Sequence, residues 1–120
     1  MGECKEVWLK MVAGSSIRVL KADTFWLRFR GLLGKKDLPE QEGLLLEPCN
    51  NVHTVGMHFP IDIIFLSDDD RIIAVHRNVE PGRLCIRAAN ARKVLELAAG
   101  VGKKLPRFPG ERLVFYRNSD

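Results

Sequence analysis

The sequence has few cysteines, and none of them has the spacing of a paired motif. Its 120 residues contain three cysteines, Cys4, Cys49 and Cys85, and no C-x-x-C pair. An odd number of widely spaced cysteines argues against a disulfide framework. The first residues are polar and lack the apolar core of an export signal, and no apolar run approaches membrane-spanning length. We therefore expect reduced thiols, a cytoplasmic location and no membrane partner.

The basic part of the chain is poor in the aromatic side chains that stack on nucleic-acid bases. Residues 83–120 carry nine Lys and Arg against three Asp and Glu, whereas residues 1–82 carry ten against twelve. A basic surface attracts nucleic acids. However, only Phe108, Phe115 and Tyr116 lie in this region, and the last two fall in an apparent strand. A nucleic-acid-contacting module on residues 83–117 is therefore an alternative, and a solvated basic surface is the expectation.

Short runs of strand-forming residues separated by turns dominate the sequence. With 46% hydrophobic and 28% charged residues, the composition is that of one globular domain, which we assign to residues 1–120. The apolar runs predict about seven short strands, at residues 6–12, 17–20, 44–46, 61–66, 71–76, 84–86 and 112–117. This pattern is typical of a mainly β protein, an antiparallel β-sandwich or barrel.

Two segments have the apolar spacing of short amphipathic helices. The first runs from Asp23, a suitable N-cap, to Gly34, and its apolar side chains are Phe25, Phe29, Leu32 and Leu33. The second runs from Asn90 to Gly100, with a buried stripe of Ala91, Val94, Leu95 and Ala98. In this second helix Glu96 would lie one turn from Arg92 on the exposed side. We therefore interpret Glu96 as a surface residue that pairs with Arg92.

Residues 49–62 bring several kinds of polar side chain together directly before the most apolar strand. Binding residues are commonly found on loops that a rigid element positions. We therefore predict that this loop binds a small ligand, a peptide or a partner protein of unknown identity. The candidate ligand-binding residues are Cys49, His53, Thr54, Met57 and Asp62.

Other chemistries fit parts of the same loop. An enzyme using Cys49, His53 and Asp62 is the main alternative, although no third group that would orient a Cys49–His53 pair is identifiable in the sequence. Cys49, His53 and His58 are ligand types that zinc or copper prefers, but the C-x3-H-x4-H spacing matches no defined metal motif. We therefore predict no metal, leave the cofactor unknown and leave open whether the protein is an enzyme.

Asp62 is the polar residue of the loop with the strongest structural requirement. It shares a strand face with Ile64 and Leu66, and a carboxylate beside an apolar core must be hydrogen-bonded or paired. We predict that it accepts hydrogen bonds from the loop backbone, or from His53 or Thr54. It would then either hold the loop or face a ligand pocket.

Four segments in order resemble the domain of unknown function 192 family. They are RFRGLL at 28–33, GLLL at 43–46, PIDIIFL at 60–66 and VLELAAG at 94–100, and the resemblance covers about residues 22–114. The family's usual Trp-Met-x-Asn-Thr segment is absent. Residues 49–57 are similar instead to a branch that reads Cys-x-x-Val-His-Thr-x-x-Met. The resemblance implies a jelly-roll-like β-sandwich with small helices, and it implies no established activity.

Overall fold

The computed structural model describes residues 5–12, 14–22, 32, 35–106 and 109–117. Within these residues the chain is mainly β, as predicted, with nine strands rather than about seven. The strands are β1 Lys5–Lys10, β2 Ser16–Ala22, β3 Glu42–Leu46, β4 Asn51–Val52, β5 Ile61–Leu66, β6 Ile72–Val79, β7 Ile86–Arg87, β8 Lys93–Ala98 and β9 Phe115–Tyr116. One 3-10 helix, Val101–Lys104, follows β8 in the described part of the chain. No helix there is long and apolar enough to cross a membrane.

Seven of the strands form one open sheet in the order β6-β5-β8-β3-β2-β1-β9. Its neighbouring strands are antiparallel except for β2 and β3, which are parallel. Strands β4 and β7 form a separate antiparallel pair. The segment 109–117 contacts both edges of the large sheet, because β9 pairs with β1 while Arg112 forms a bridge with Arg71, next to β6. The sheet therefore curls until its two edges approach each other.

The curled sheet has a different apolar cluster on each face. The inner-face cluster combines side chains from both ends of the sheet and from the 3-10 helix, including Val7, Leu9, Val19, Ile64, Leu66, Ile72, Leu95, Leu97 and Val101. The outer-face cluster lies under the β4–β7 pair and the loop between β4 and β5, and includes Leu44, Val52, Met57, Ile61, Ile63, Phe65, Ile86 and Val94. Successive side chains of a strand point to opposite faces. Asp62 therefore lies on the inner face with Ile64, and Glu96 on the outer face with Val94.

The prediction of a helix at residues 90–100 is wrong. Residues 93–98 form β8, which is hydrogen-bonded to β5 on one side and β3 on the other. A central strand that is covered on both faces carries apolar side chains at nearly every position, so its sequence also satisfies a helical spacing. The other predicted helix, at residues 23–34, lies outside the described residues except for Leu32, which is buried.

The remaining strand predictions differ from the structure mainly in their lengths. The strands predicted at 17–20, 44–46 and 61–66 are confirmed, and those at 6–12 and 71–76 are confirmed with shifted ends. The strands predicted at 84–86 and 112–117 shorten to two residues each, Ile86–Arg87 and Phe115–Tyr116. The length of such a short strand depends on its pairing with a strand that is distant in the sequence. The local sequence does not specify this pairing, so it predicts the length poorly.

Candidate functional site

Thr54 joins the loop between β4 and β5 to the turn before β7. Its side chain is fully buried, and Oγ1 donates a hydrogen bond to the carbonyl of Glu80 (2.7 Å) while accepting one from the N–H of Arg83 (2.9 Å). Its own N–H donates to the Arg83 carbonyl, and its carbonyl accepts from the N–H groups of Met57 and Gly82. Five hydrogen bonds therefore fix this residue, and its role in the structure is to hold two loops together.

The other candidate residues of the loop lie in different environments. Met57 is buried in the outer-face cluster, so the loop covers the large sheet there. His53 is exposed to solvent. Cys49 is half-buried, and its Sγ donates a hydrogen bond to the carbonyl of Asn51 (3.3 Å). Cys49 and Cys85 are thiols rather than halves of a disulfide, whereas Cys4 lies outside the described residues.

Asp62 is fully buried and held by backbone N–H groups, as its position in the sequence predicts. The predicted donors are wrong, because none of the bonds comes from the 49–62 loop, His53 or Thr54. Oδ1 accepts a hydrogen bond from the N–H of Asn78 (2.8 Å). Oδ2 accepts bonds from the N–H groups of Gly100 (3.0 Å) and Gly102 (2.8 Å). Asp62 therefore fixes the end of β6 and the start of the 3-10 helix.

The structure consequently separates Asp62 from the other candidates. The loop residue Met57 packs on the outer face, and Asp62 lies on the inner face of the same sheet. The close approach of Gly102 to Asp62 fills the space on the inner side, since a Cβ at Gly102 would lie 2.8 Å from Oδ2. Asp62 therefore does not face a ligand pocket together with Met57, since the two described residues lie on opposite faces of the sheet.

Glu96, which the sequence placed on the surface, is a buried carboxyl at the centre of the outer face. It is 4% exposed. Leu44 of β3 and Ile63 of β5 lie opposite it on the two flanking strands, and alternation along β8 places Val94 beside it on the same face. Three apolar residues therefore flank this carboxyl within the sheet.

The Glu96 carboxyl has no hydrogen-bond or ion-pair partner among the described residues. Burial raises its pKa from 4.5 to about 7. No fully enclosed side-chain oxygen of the described residues lacks a hydrogen-bond partner, so the small exposed area of Glu96 includes its carboxyl oxygens. The group is thus desolvated yet accessible, and near neutral pH it is able to donate a proton, accept one or act as a counter-ion. An acidic residue inside the apolar run VLELAA was the sequence signal for it.

The described residues show no ready metal site. No group of three or more His, Cys, Asp or Glu side chains in this part of the chain is close enough to hold a metal ion. A single carboxyl among Leu, Ile and Val offers a metal only one ligand, whereas zinc sites use three or four protein ligands. The chemistry of the Glu96 carboxyl is therefore that of an isolated acid in apolar surroundings.

The fold and this buried acid define a small β domain with a covered sheet face. A family model matches residues 9–115, so the chain belongs to the domain of unknown function 192 family, which is described as "Uncharacterized ACR". Membership in this family confirms the resemblance seen in the sequence. No curated protein matches the chain.

Two solved structures are similar to this protein. A protein of unknown function from Novosphingobium aromaticivorans DSM 12444 has a TM-score of 0.77 and 24% identity, covering 92% of this chain and 84% of its own. A protein from Sinorhizobium meliloti 1021, named "putative transcription regulator", has a TM-score of 0.80 and 25% identity. The match covers 96% of this chain and 97% of its own. The first similarity establishes the shared fold, and neither structure is named for a ligand or a reaction.

Proposed function

We propose that this protein binds a small molecule on the outer face of the large sheet, at Glu96 and beneath the loop between β4 and β5. The observation that supports this proposal is the Glu96 carboxyl, 4% exposed among apolar neighbours and without a partner in the described residues. A site with few polar groups set in an apolar surface is typical of small-molecule pockets. This proposal keeps the small-ligand part of the sequence prediction and moves its polar centre from His53 and Asp62 to Glu96.

The energetic argument concerns the desolvation of Glu96. Burying a carboxyl without a hydrogen bond is unfavourable, and an apolar residue at this position would simply continue the run Val94-Leu95 and Leu97. Ligand sites are places where such unfavourable groups occur, because the bound molecule supplies the missing partner. The unfavourable burial of Glu96 is therefore explained if a ligand group completes its interactions.

The loop between β4 and β5 contributes the cover of the proposed site. Thr54 holds the loop by five hydrogen bonds, and Met57 packs on the outer-face cluster. A preformed cover lowers the entropy that a ligand loses on binding, since the loop is already ordered. Met57, a residue of the loop that the sequence singled out, belongs to the same apolar cluster as Leu44 and Ile63, which supports its place in the proposed site.

The enzyme alternative is not the function that the geometry supports best. A catalytic group of Cys49, His53 and Asp62 requires their side chains to meet, but Asp62 lies on the inner face and accepts three backbone hydrogen bonds. The nucleic-acid alternative is supported only by exposed basic residues, such as Arg83, Arg87 and Arg92, and by the name of the Sinorhizobium neighbour. Neither alternative accounts for Glu96.

A methyl-NMR screen tests the proposal. The Ile and Leu methyl groups are labelled, and a library of acidic, neutral and basic small molecules is screened for shifts at Ile63 and Leu44. We expect some compounds to shift these methyls, and Glu96→Leu to abolish the shifts. Glu111→Gln, which changes an exposed acid away from the sheet face, is the matched control and should leave them unchanged. The proposal is contradicted if no compound of any class shifts either residue, or if Glu96→Leu binds as the original protein does.

A further inference from the structure

We infer that the ligand of this site carries an organic cation, an ammonium or amidinium group, that forms an ion pair with Glu96. This inference rests on the proposed function and names the chemical class of its ligand. The property that distinguishes a carboxyl from an amide or a hydroxyl is its ability to carry a negative charge. A neutral polar ligand is held equally well by uncharged donors, and those avoid the larger penalty of burying a charge.

The pairing of other buried and half-buried charges supports this assignment. Lys93, three residues before Glu96, forms ion pairs with Asp70 (2.8 Å) and Glu47 (3.5 Å). Arg18 pairs with Glu6 and Glu42 at the exposed end of the sheet. Among the described residues, no Lys, Arg or His lies within ion-pair distance of Glu96. The described residues therefore supply a buried acid here without a counter-ion, and a cationic ligand would supply the missing charge.

The apolar neighbours of Glu96 favour an organic cation over a metal ion. Leu44 and Ile63 flank the carboxyl on the two adjacent strands, and Val94 lies beside it on its own strand. These side chains are hydrocarbon, so they can pack against the apolar part of a ligand but offer a metal no oxygen, nitrogen or sulfur atom. A molecule with an apolar body and one terminal ammonium or amidinium group matches both parts of this surface. Its charged end forms hydrogen-bonded contacts with the carboxylate.

Other titratable and charged groups near the same face lie on β3, on β6 and on the covering loop, so a histidine substitution serves as a control for Glu96. His76 of β6 lies opposite Ile63, one strand beyond Glu96, and is exposed. His53 and His58 are exposed on the covering loop. Val94 and Leu44 contribute no charge. Glu42 lies on the same face further along β3 and is paired with Arg18.

The test uses a panel of alkyl- and arylamines. Each amine is compared with the alcohol of the same shape, for example benzylamine with benzyl alcohol, and benzoate is included as an anion. Dissociation constants are measured from the methyl shifts of Ile63 and Leu44 at several pH values. We expect amines to bind at least about tenfold more tightly than their alcohols, and Glu96→Gln to remove that preference. Amine affinity should rise about tenfold per pH unit up to neutrality, because Glu96 must release its proton before it pairs with the cation.

The outcomes separate this inference from the proposed function. If alcohols or benzoate bind as tightly as the amines, and Glu96→Gln retains their affinity, the site exists but does not select cations, and the inference is wrong. If no compound of the panel or of the wider library shifts Ile63 or Leu44, both the site and the inference are wrong. His76→Gln should keep the pH dependence of amine binding. Loss of that dependence in His76→Gln would contradict the role of Glu96.

Discussion

Asp62 and Glu96 are two buried carboxyl groups on neighbouring strands, and they have opposite environments. Asp62 on β5 faces the inner side of the sheet and accepts hydrogen bonds from three backbone N–H groups. Glu96 on β8 faces the outer side, has no partner among the described residues, and has a pKa that burial raises to about 7. The comparison shows that burial alone does not identify a binding residue. Backbone groups of the fold use the hydrogen-bonding capacity of Asp62, whereas no group of the described residues uses that of Glu96.

The difference follows from what each carboxyl contacts. Charge-assisted hydrogen bonds offset the desolvation of Asp62, and they fix Asn78, which has a positive φ of 50°, and the turn at Gly100. No described residue stabilises the ionised form of Glu96 in this way, so burial favours its neutral form. We therefore assign Asp62 to the stability of the fold, and Glu96 is the residue that we propose for ligand binding.

Replacing Asp62 should have the largest effect on stability. Asp62→Ala leaves three backbone N–H groups without their acceptor, and we expect a loss of about 3 kcal/mol in the free energy of unfolding. Urea unfolding at pH 7 measures it. Asp68→Ala, which removes an exposed acid, is the control and should change stability by less than about 0.5 kcal/mol. If Asp62→Ala changed the free energy of unfolding no more than the control does, Asp62 would not have the structural role that we assign to it.

Glu96 should make the protein less stable as the pH rises, and Glu96→Gln should remove this dependence. The pKa of Glu96 is about 7 in the folded protein and 4.5 without burial. The folded state therefore holds the proton more strongly than the unfolded state. The contribution of Glu96 to the free energy of unfolding is fully present below pH 4.5 and is lost as the pH rises through 7. The expected loss is about 3 kcal/mol.

Urea unfolding of both proteins across this pH range checks the prediction. The difference between the two proteins isolates Glu96, because the substitution replaces no other titratable group. A difference between the two proteins that stays constant with pH would show that the Glu96 carboxyl is solvated or hydrogen-bonded in the folded state.

Gly102→Ala tests the close approach between the 3-10 helix and Asp62. A Cβ at this position would lie 2.8 Å from Asp62 Oδ2, so either the carboxylate or the helix must move. We expect a loss of about 2 kcal/mol in the free energy of unfolding. In the Asp62→Ala background the obstructing oxygen is absent, and the same substitution should be nearly neutral. Equal losses in the two backgrounds would mean that the two residues are not coupled.

His53→Ala should have the smallest effect. The side chain is exposed, and exposed substitutions away from hydrogen-bonded networks change stability by less than about 0.5 kcal/mol. Thermal melting of His53→Ala and Asp62→Ala, measured side by side, gives the contrast between the two residues. If His53→Ala destabilised the protein as much as Asp62→Ala, the histidine would have a structural role in the loop.

The sequence predicted those features that depend on neighbouring residues. The apolar run at 61–66 predicted β5, and an acid next to Ile61 in that run predicted a buried, hydrogen-bonded Asp62. The donors to Asp62 lie 16, 38 and 40 residues away in the chain, so their identity depends on the tertiary fold. The burial of Glu96 was missed for a related reason. The run around it fits a helix as well as a strand, and only pairing with β3 and β5 decides between them.

The most direct test of the account is the titration of the Glu96 side-chain carboxyl itself. The chemical shift of its carboxyl carbon is followed by NMR from acid to alkaline pH, with Glu96→Gln used to assign the signal. We predict a midpoint of about 7, because the carboxyl is buried and no described residue pairs with it. A midpoint near the ordinary value of 4.5 would contradict the central claim that Glu96 is a desolvated acid without a partner among the described residues.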